Sequence, residues 1–223
     1  MLTPEQASRL IDISAVRTAH TLCDVEKLVE YAKEYKFINV HAMPCWTGIL
    51  SKMLKDVPDV YVGAPVGFPS GGHRTEVKLE ESRLLLADGV QEMDIVMNVG
   101  RFMNNEYDYV QGELSQIIST TPSDVLTKVI IEINVLNDDE MERACELAID
   151  SGADFVKTGT GWVSGDANIK RIQKIKKICG SRIKVKAAGG IRTPQEFIEL
   201  CDIGVERMGI NTKSAIEIVE HFR

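Results

Sequence analysis

Short apolar runs alternate with amphipathic stretches along nearly the whole chain. The runs are Leu10–Ser14, Phe37–Ala42, Val60–Pro65, Glu92–Val96, Lys128–Ile133, Asp154–Lys157, Ile183–Ala187 and Arg207–Ile210, each long enough for a strand and too short for a typical helix. Between them apolar residues recur three and four apart, as at Leu28, Tyr31, Ala32 and Tyr35, which is the repeat of one helix face. This spacing predicts helices over Asp24–Tyr35, Thr75–Asp88, Tyr107–Thr120, Asp138–Ser151, Asn168–Cys179 and Pro194–Cys201. Three of them run into a glycine, at Asp88-Gly89, Ser151-Gly152 and Cys179-Gly180, the residue that most readily takes the left-handed turn closing a helix.

Eight strands separated by helices imply a parallel sheet, because each parallel connection needs a crossover. An open doubly wound sheet usually carries Gly-x-Gly-x-x-Gly after its first strand, and the chain has no such turn. The count of eight, and charged residues set inside the late strands, point to an α/β fold closed as a (β/α)8 TIM barrel. No linker or low-complexity tract divides the chain, so residues 1–223 are read as one domain. Its active site is then expected at the C-terminal ends of the strands.

Composition narrows the function classes. With 44% apolar and 26% charged residues the chain is that of an ordinary globular enzyme. A net charge of −7 argues against nucleic acid or an anionic membrane as partner. No run approaches the roughly 20 apolar residues of a membrane span, and the opening Met-Leu-Thr-Pro-Glu-Gln is charged where a signal peptide would be apolar. The five cysteines are dispersed, with no Cys-x-x-Cys pair, as expected of free thiols in the cytoplasm.

Three charged residues occupy strands in which a packed parallel sheet prefers valine or isoleucine: Asp94, Lys157 and Lys186. A solvated strand end or an internal ion pair would explain any one of them. All three fall near C-terminal ends of different strands, where a barrel gathers its chemistry. A lysine attacks a carbonyl only as the free amine, and about one in 2,500 is neutral at pH 7 with an ordinary pKa. Burial and a neighbouring cation both lower that pKa. Lys186 beside Lys157 would supply the cation, and Asp94 a carboxylate for moving protons; as an anion it would raise the lysine pKa, so it is read as shuttle rather than activator.

Glycine-rich segments follow the last three strands: Lys157-Thr-Gly-Thr-Gly161, Ala188-Gly-Gly-Ile-Arg-Thr193 and Gly209-Ile-Asn-Thr212. Any one could be a plain turn. In succession, near Lys186 and Arg192, they read as a phosphate site built from backbone N–H groups. The four histidines, at 20, 41, 73 and 221, form no metal-binding motif, so neither metal nor other cofactor is expected.

These segments resemble the deoxyribose-phosphate aldolase family. The matching stretches include Gly67-Phe-Pro69, Thr75-Glu-Val-Lys78, Glu92-Met-Asp-Ile-Val96, Lys128-Val-Ile-Ile-Glu132, Gly152-Ala-Asp-Phe-Val-Lys-Thr158 and Val185-Lys-Ala-Ala-Gly-Gly-Ile-Arg-Thr193, in order along nearly the whole chain. The resemblance implies a (β/α)8 barrel and reversible cleavage of 2-deoxy-D-ribose 5-phosphate to acetaldehyde and D-glyceraldehyde 3-phosphate. It implies Lys157 as Schiff-base lysine, Lys186 as second lysine and Asp94 as proton relay. Phosphate contacts fall on Gly161, Gly189, Gly190, Arg192 and Gly209, and substrate contacts on Asp12, Lys128 and Thr158. A small phosphorylated sugar is the expected partner, and a homodimer the expected assembly.

Four positions depart from the family pattern. The opening Ile-Asp-His-Thr-Leu-Leu-Lys reads Ile11-Asp-Ile-Ser-Ala-Val-Arg17, and a Cys-x-Asn/Tyr-Pro stretch reads His41-Ala-Met-Pro44. Glu132-Ile-Asn134 replaces Glu-Thr-Gly, and Gly209-Ile-Asn-Thr212 replaces Gly-(Thr/Ala)-Ser-Ser. Asn211 and Thr212 can still hydrogen-bond a phosphate. His41 has two readings: it binds a hydroxyl or carboxylate on a more polar donor, or it bonds a backbone carbonyl or Asn134 and leaves acetaldehyde unaffected. A third function class, a barrel that holds a sugar phosphate without turnover, would give binding with no covalent trapping.

Overall fold

All eight apolar runs form strands, and they close on themselves. In the computed structural model, which describes residues 2–165 and 168–223, the strands are β1 (Ile11–Ala15), β2 (Asn39–Ala42), β3 (Tyr61–Val66), β4 (Glu92–Val96), β5 (Leu126–Ile130), β6 (Phe155–Lys157), β7 (Lys184–Ala188) and β8 (Arg207–Gly209). Each pairs in parallel with the next, and β8 pairs with β1, giving a closed (β/α)8 barrel. Met1, Asp166 and Ala167, which fall within the expected 1–223 unit, lie outside the described residues.

The helices are α1 (Pro4–Ser8), α2 (Leu22–Tyr35), α3 (Pro44–Leu54), α4 (Thr75–Ala87), α5 (Val99–Met103), α6 (Tyr107–Ser119), α7 (Asp138–Asp150), α8 (Ile169–Cys179), α9 (Pro194–Ile203) and α10 (Thr212–His221). Several start at reciprocal caps. Thr193 Oγ1 accepts from Glu196 N while Glu196 accepts from Thr193 N, and Asn137 and Glu140 do the same, satisfying donors that a helix start leaves orphaned. No described helix is long and apolar enough to cross a membrane.

The apolar core lies between barrel and helices. Alternate strand residues such as Ile11, Ile13, Val40, Val62, Met93, Val129 and Val185 are fully or nearly fully buried in it with Phe37, Leu50, Phe102 and Phe197 from the surrounding segments. The other face of each strand looks into the barrel. There the usual branched aliphatic filling is largely replaced by charged side chains, which is why they sat inside apolar runs.

One strand differs from expectation. Lys128–Ile133 was expected to pair throughout, but β5 ends at Ile130, and Ile133–Val135 form a 3-10 turn. The backbone reverses at Glu132, at φ 53°. Ile131 and Ile133 stay buried past the strand end, and their N–H groups donate to Lys157 O and Thr158 O, so the apolar run continues after the regular strand stops. Helices α1, α3, α5 and α10 were not foreseen.

Candidate active site

The barrel register brings together side chains far apart in sequence. Asp94 on β4 stands opposite Lys128 on β5, and Lys157 on β6 opposite Lys186 on β7. Asp94 Oδ2 accepts hydrogen bonds from Lys157 Nζ and Lys186 Nζ, both at 2.8 Å, and Oδ1 accepts from Lys128 Nζ at 3.1 Å. A second tier lies beneath. Arg207 donates to Asp12 at 2.7 Å and to Glu92 at 3.1 Å, and Lys128 reaches Glu92 at 2.5 Å. Asp12 Oδ2 meets Lys186 Nζ at 2.5 Å as a close ion pair rather than an aligned hydrogen bond.

Counted formally, three carboxylates (Asp12, Glu92, Asp94) face four cations. Among the described residues Lys128, Lys186 and Arg207 each hold two carboxylates, whereas Lys157 holds Asp94 alone. It is therefore the cation the network can most easily lose. Burial pushes the Lys157 amine down and Lys186 pushes it further, against the opposing pull of Asp94, to a pKa of about 8 from 10.5. That shift multiplies the free amine near neutral pH about 300-fold. Burial and a neighbouring cation are both expected from the sequence; in the folded chain burial leads and Lys186 assists. Lys157 is also the most open of the four, its side chain 11% exposed.

Burial alone would raise the Asp94 carboxyl, but the three lysines outweigh it and hold Asp94 well below the ordinary carboxylate range, with His41 adding to the effect only when protonated. The group is an ionised hub that accepts from several donors. His41 is pushed down by burial, which exceeds the pull of Asp94, so its imidazole is neutral at pH 7. Among the described residues it bonds neither a backbone carbonyl nor Asn134; Nε2 lies 3.2 Å from Asp94 Oδ2. The ring lies flat on β3, where a Cβ at Gly63 would stand 2.3 Å from His41 Cε1. Gly63→Ala should therefore displace the imidazole and cost about 1–3 kcal/mol, read as a lowered denaturation midpoint; full stability would show that the ring moves freely.

Above Lys157 a cavity of about 670 Å³ opens, reached by Asp12, His41, Lys186 and the loops after β6, β7 and β8. Gly189 and Gly190 stand at φ 96° and 85°, a pair of conformations that side chains resist. They let the backbone after β7 approach the cavity with Gly161 and Gly209. The N-terminus of α10, at Thr212, faces the same space, adding the partial positive charge of a helix start.

Several expected contacts sit elsewhere or are already engaged. Lys128 is fully buried under the cavity, where it anchors Glu92 and Asp94. The Thr158 hydroxyl donates to Ala188 O and accepts from Ala188 N, each at 2.9 Å, locking β6 to β7. The Asn211 side chain caps α10 through Ser214, which engages its amide oxygen and one of its two N–H donors. Arg192 reaches the cavity rim, but its N–H is held by Glu196 at 2.9 Å, so only its guanidinium is available.

Residues 7–209 match the DeoC/LacD family aldolases. The chain belongs to this family. It is 39% identical over 225 residues to the deoxyribose-phosphate aldolase of Klebsiella pneumoniae subsp. pneumoniae, covering 98% of this chain and 90% of that one. Its fold superposes on an aldolase called QR15 with a TM-score of 0.91 at 35% identity, covering 97% and 95% of the two chains. It also superposes on a tetrameric deoxyribose phosphate aldolase from Aeropyrum pernix with a TM-score of 0.90 at 27% identity, covering 99% and 92%.

In this DeoC/LacD aldolase the geometry adds residues that sequence reasoning passed over. Arg17 donates to Gly161 O at 2.8 Å with its guanidinium 5.7 Å from the Trp162 ring centroid. Trp162 donates to Val16 O at 3.1 Å and meets the Phe68 ring edge-on. Loops after β1, β3 and β6 thus join into a strap at the cavity mouth. Its signal was Trp162, a large aromatic in a stretch of small turn residues. Glu132 is another omission: its carboxylate accepts from Thr160 N at 3.2 Å and from the Thr160 hydroxyl, fixing the loop that follows Lys157.

Proposed function

We propose that this chain is a class I deoxyribose-phosphate aldolase, reversibly cleaving 2-deoxy-D-ribose 5-phosphate to acetaldehyde and D-glyceraldehyde 3-phosphate through a Schiff base on Lys157. The observation that carries the reading is the state of Lys157: a buried amine with one carboxylate partner and a pKa of about 8, opening into a cavity. The names of the relatives supply the sugar, and the glycine loops and α10 supply a place for its phosphate.

The neutral amine attacks C1 of the open-chain sugar, and loss of water gives the iminium. That cation withdraws electrons as the C3 hydroxyl gives up its proton and the C2–C3 bond breaks, releasing glyceraldehyde 3-phosphate. The enamine left on Lys157 takes a proton at C2, and water frees acetaldehyde and the amine. Lys186 and Asp94, hydrogen-bonded at 2.8 Å, form the relay for these transfers. Asp12 and Arg207 hold the relay in place. Asp12, His41, Lys186, Gly161, Gly189, Gly190, Arg192, Gly209 and Thr212 surround the substrate in this reading. The enzyme acts as one catalytic unit in carbohydrate catabolism, in the cytoplasm and as a homodimer.

Incubation with acetaldehyde and borohydride should leave a reduced two-carbon adduct on Lys157, located by peptide mass analysis. The trapping rate should climb as pH rises through about 8, where the amine loses its proton. An adduct on another residue, or none, would overturn the mechanism.

A further inference from the structure

The cavity wall near Lys157 carries more hydrogen-bonding capacity than a donor as plain as acetaldehyde can use. His41 is 4% exposed and lines the cavity with Lys157 and Ser14, and Ser14 stands opposite it across the β1–β2 pairing. Neither imidazole nitrogen has an aligned hydrogen-bond partner among the described residues, although Nε2 lies 3.2 Å from Asp94 Oδ2. Buried polar groups nearly always find partners. The fold also gives up a side chain at Gly63 to seat this ring. A polar ring held at the reacting end of a cavity, with no aligned partner among the described residues, is placed to bind substrate.

We propose that His41 hydrogen-bonds a hydroxyl on the donor carbon next to the Schiff base, so that the enzyme also uses α-hydroxy aldehydes of the glycolaldehyde type. The distances allow it. Lys157 Nζ and His41 Nε2 both lie on Asp94 Oδ2, at 2.8 and 3.2 Å, so they stand no more than about 6 Å apart. A hydroxyl three bonds from the lysine nitrogen reaches roughly 3.5 Å from it, and a hydrogen bond spans about 2.8 Å more. The neutral imidazole offers both a donor and an acceptor.

The chemistry is that of the proposed aldolase, on which this inference rests, with one substituent changed. Lys157 condenses with glycolaldehyde, losing water. The carbon bearing the hydroxyl gives up a proton to form the enamine and then attacks the aldehyde carbon of glyceraldehyde 3-phosphate, whose oxygen takes a proton. Water releases an aldopentose 5-phosphate that keeps its 2-hydroxyl, and the amine is regenerated. No oxidant or reductant takes part.

The test offers the full-length enzyme acetaldehyde or glycolaldehyde with glyceraldehyde 3-phosphate and follows both pentose phosphates by mass. The 2-hydroxy product should form at no less than about one tenth the rate of the deoxy product. His41→Phe should lower the glycolaldehyde-to-acetaldehyde ratio of kcat/KM by about 5- to 100-fold, and His41→Gln, which keeps a donor and an acceptor, should recover part of it. A slower wild-type rate, or a His41→Phe change that lowers both donors equally, overturns the inference. Borohydride trapping separates the two levels. An acetaldehyde adduct on Lys157 without any 2-hydroxy product removes only the role of His41, whereas no adduct with either aldehyde removes the aldolase reading and this inference together.

Discussion

Lys157→Met should abolish turnover while making the protein more stable below pH 8. Loss of the nucleophile removes the covalent route, so kcat should fall about 10⁴-fold or more and borohydride trapping should vanish. The stability change follows from linkage. In the unfolded chain the amine titrates at its ordinary 10.5; in the fold it titrates at about 8. Between those values the unfolded chain binds the proton and the native chain does not. Native stability is therefore lost as pH falls from 10.5 to 8, and the full penalty, about 3 kcal/mol, is present below that. Methionine has no charge and a similar volume, so it removes the penalty without opening a cavity. Urea denaturation at pH 6 should show Lys157→Met more stable than wild type, with the gain shrinking toward zero above pH 10.5. A less stable variant at pH 6 would mean that the amine contributes more as a partner of Asp94 than its burial costs.

How far such a site can be read from sequence depends on whether a residue's neighbours are local. Lys157 and Lys186 were visible because charge is out of place in a parallel strand, and Asp94 for the same reason. Which cation neutralises which carboxylate was not visible, because it depends on barrel register: Asp94 lies 63 residues from Lys157 and 92 from Lys186 along the chain. Arg207 and Glu92 were passed over as strand residues although they hold the lower tier. The Lys128–Ile133 run misplaced the end of β5 because apolarity reports burial: Ile131 and Ile133 are buried, and their N–H groups still donate to Lys157 O and Thr158 O, but the regular strand has already given way to a turn. Helix α3 was missed although Pro44 sits at its first turn, a favourable start. Gly48 obscures it: glycine is a weak helix former, kept where a Cβ would stand 2.9 Å from Asp88 Oδ1. Helix α10 was hidden by the phosphate reading of Asn211 and Thr212, although Ala215, Ile218 and Val219 carry the buried spacing of a helix face.

Asp94→Asn should separate the two tasks of that carboxylate, holding charges and moving protons. Asparagine keeps the shape but not the charge, leaving two carboxylates, Asp12 and Glu92, against Lys128, Lys186 and Arg207, with Lys157 unpaired. An uncompensated buried charge costs about 3–5 kcal/mol, which should appear as a lowered denaturation midpoint. Asp94 is the group that raises the Lys157 pKa, against burial and Lys186. Without it the amine loses its proton more easily, so the rise of trapping rate with pH should move below pH 8. More of the lysine is then free at neutral pH, and catalysis should nevertheless fall, by about 10²–10³-fold in kcat, because dehydration and enamine protonation lose their relay. A more available nucleophile in a slower enzyme is a combination that simple unfolding would not produce. If the trapping profile stays at pH 8 or moves upward, Asp94 is not the anion that sets the Lys157 proton affinity. If kcat follows the stability loss alone, the proton relay belongs to Lys186 and solvent rather than to Asp94.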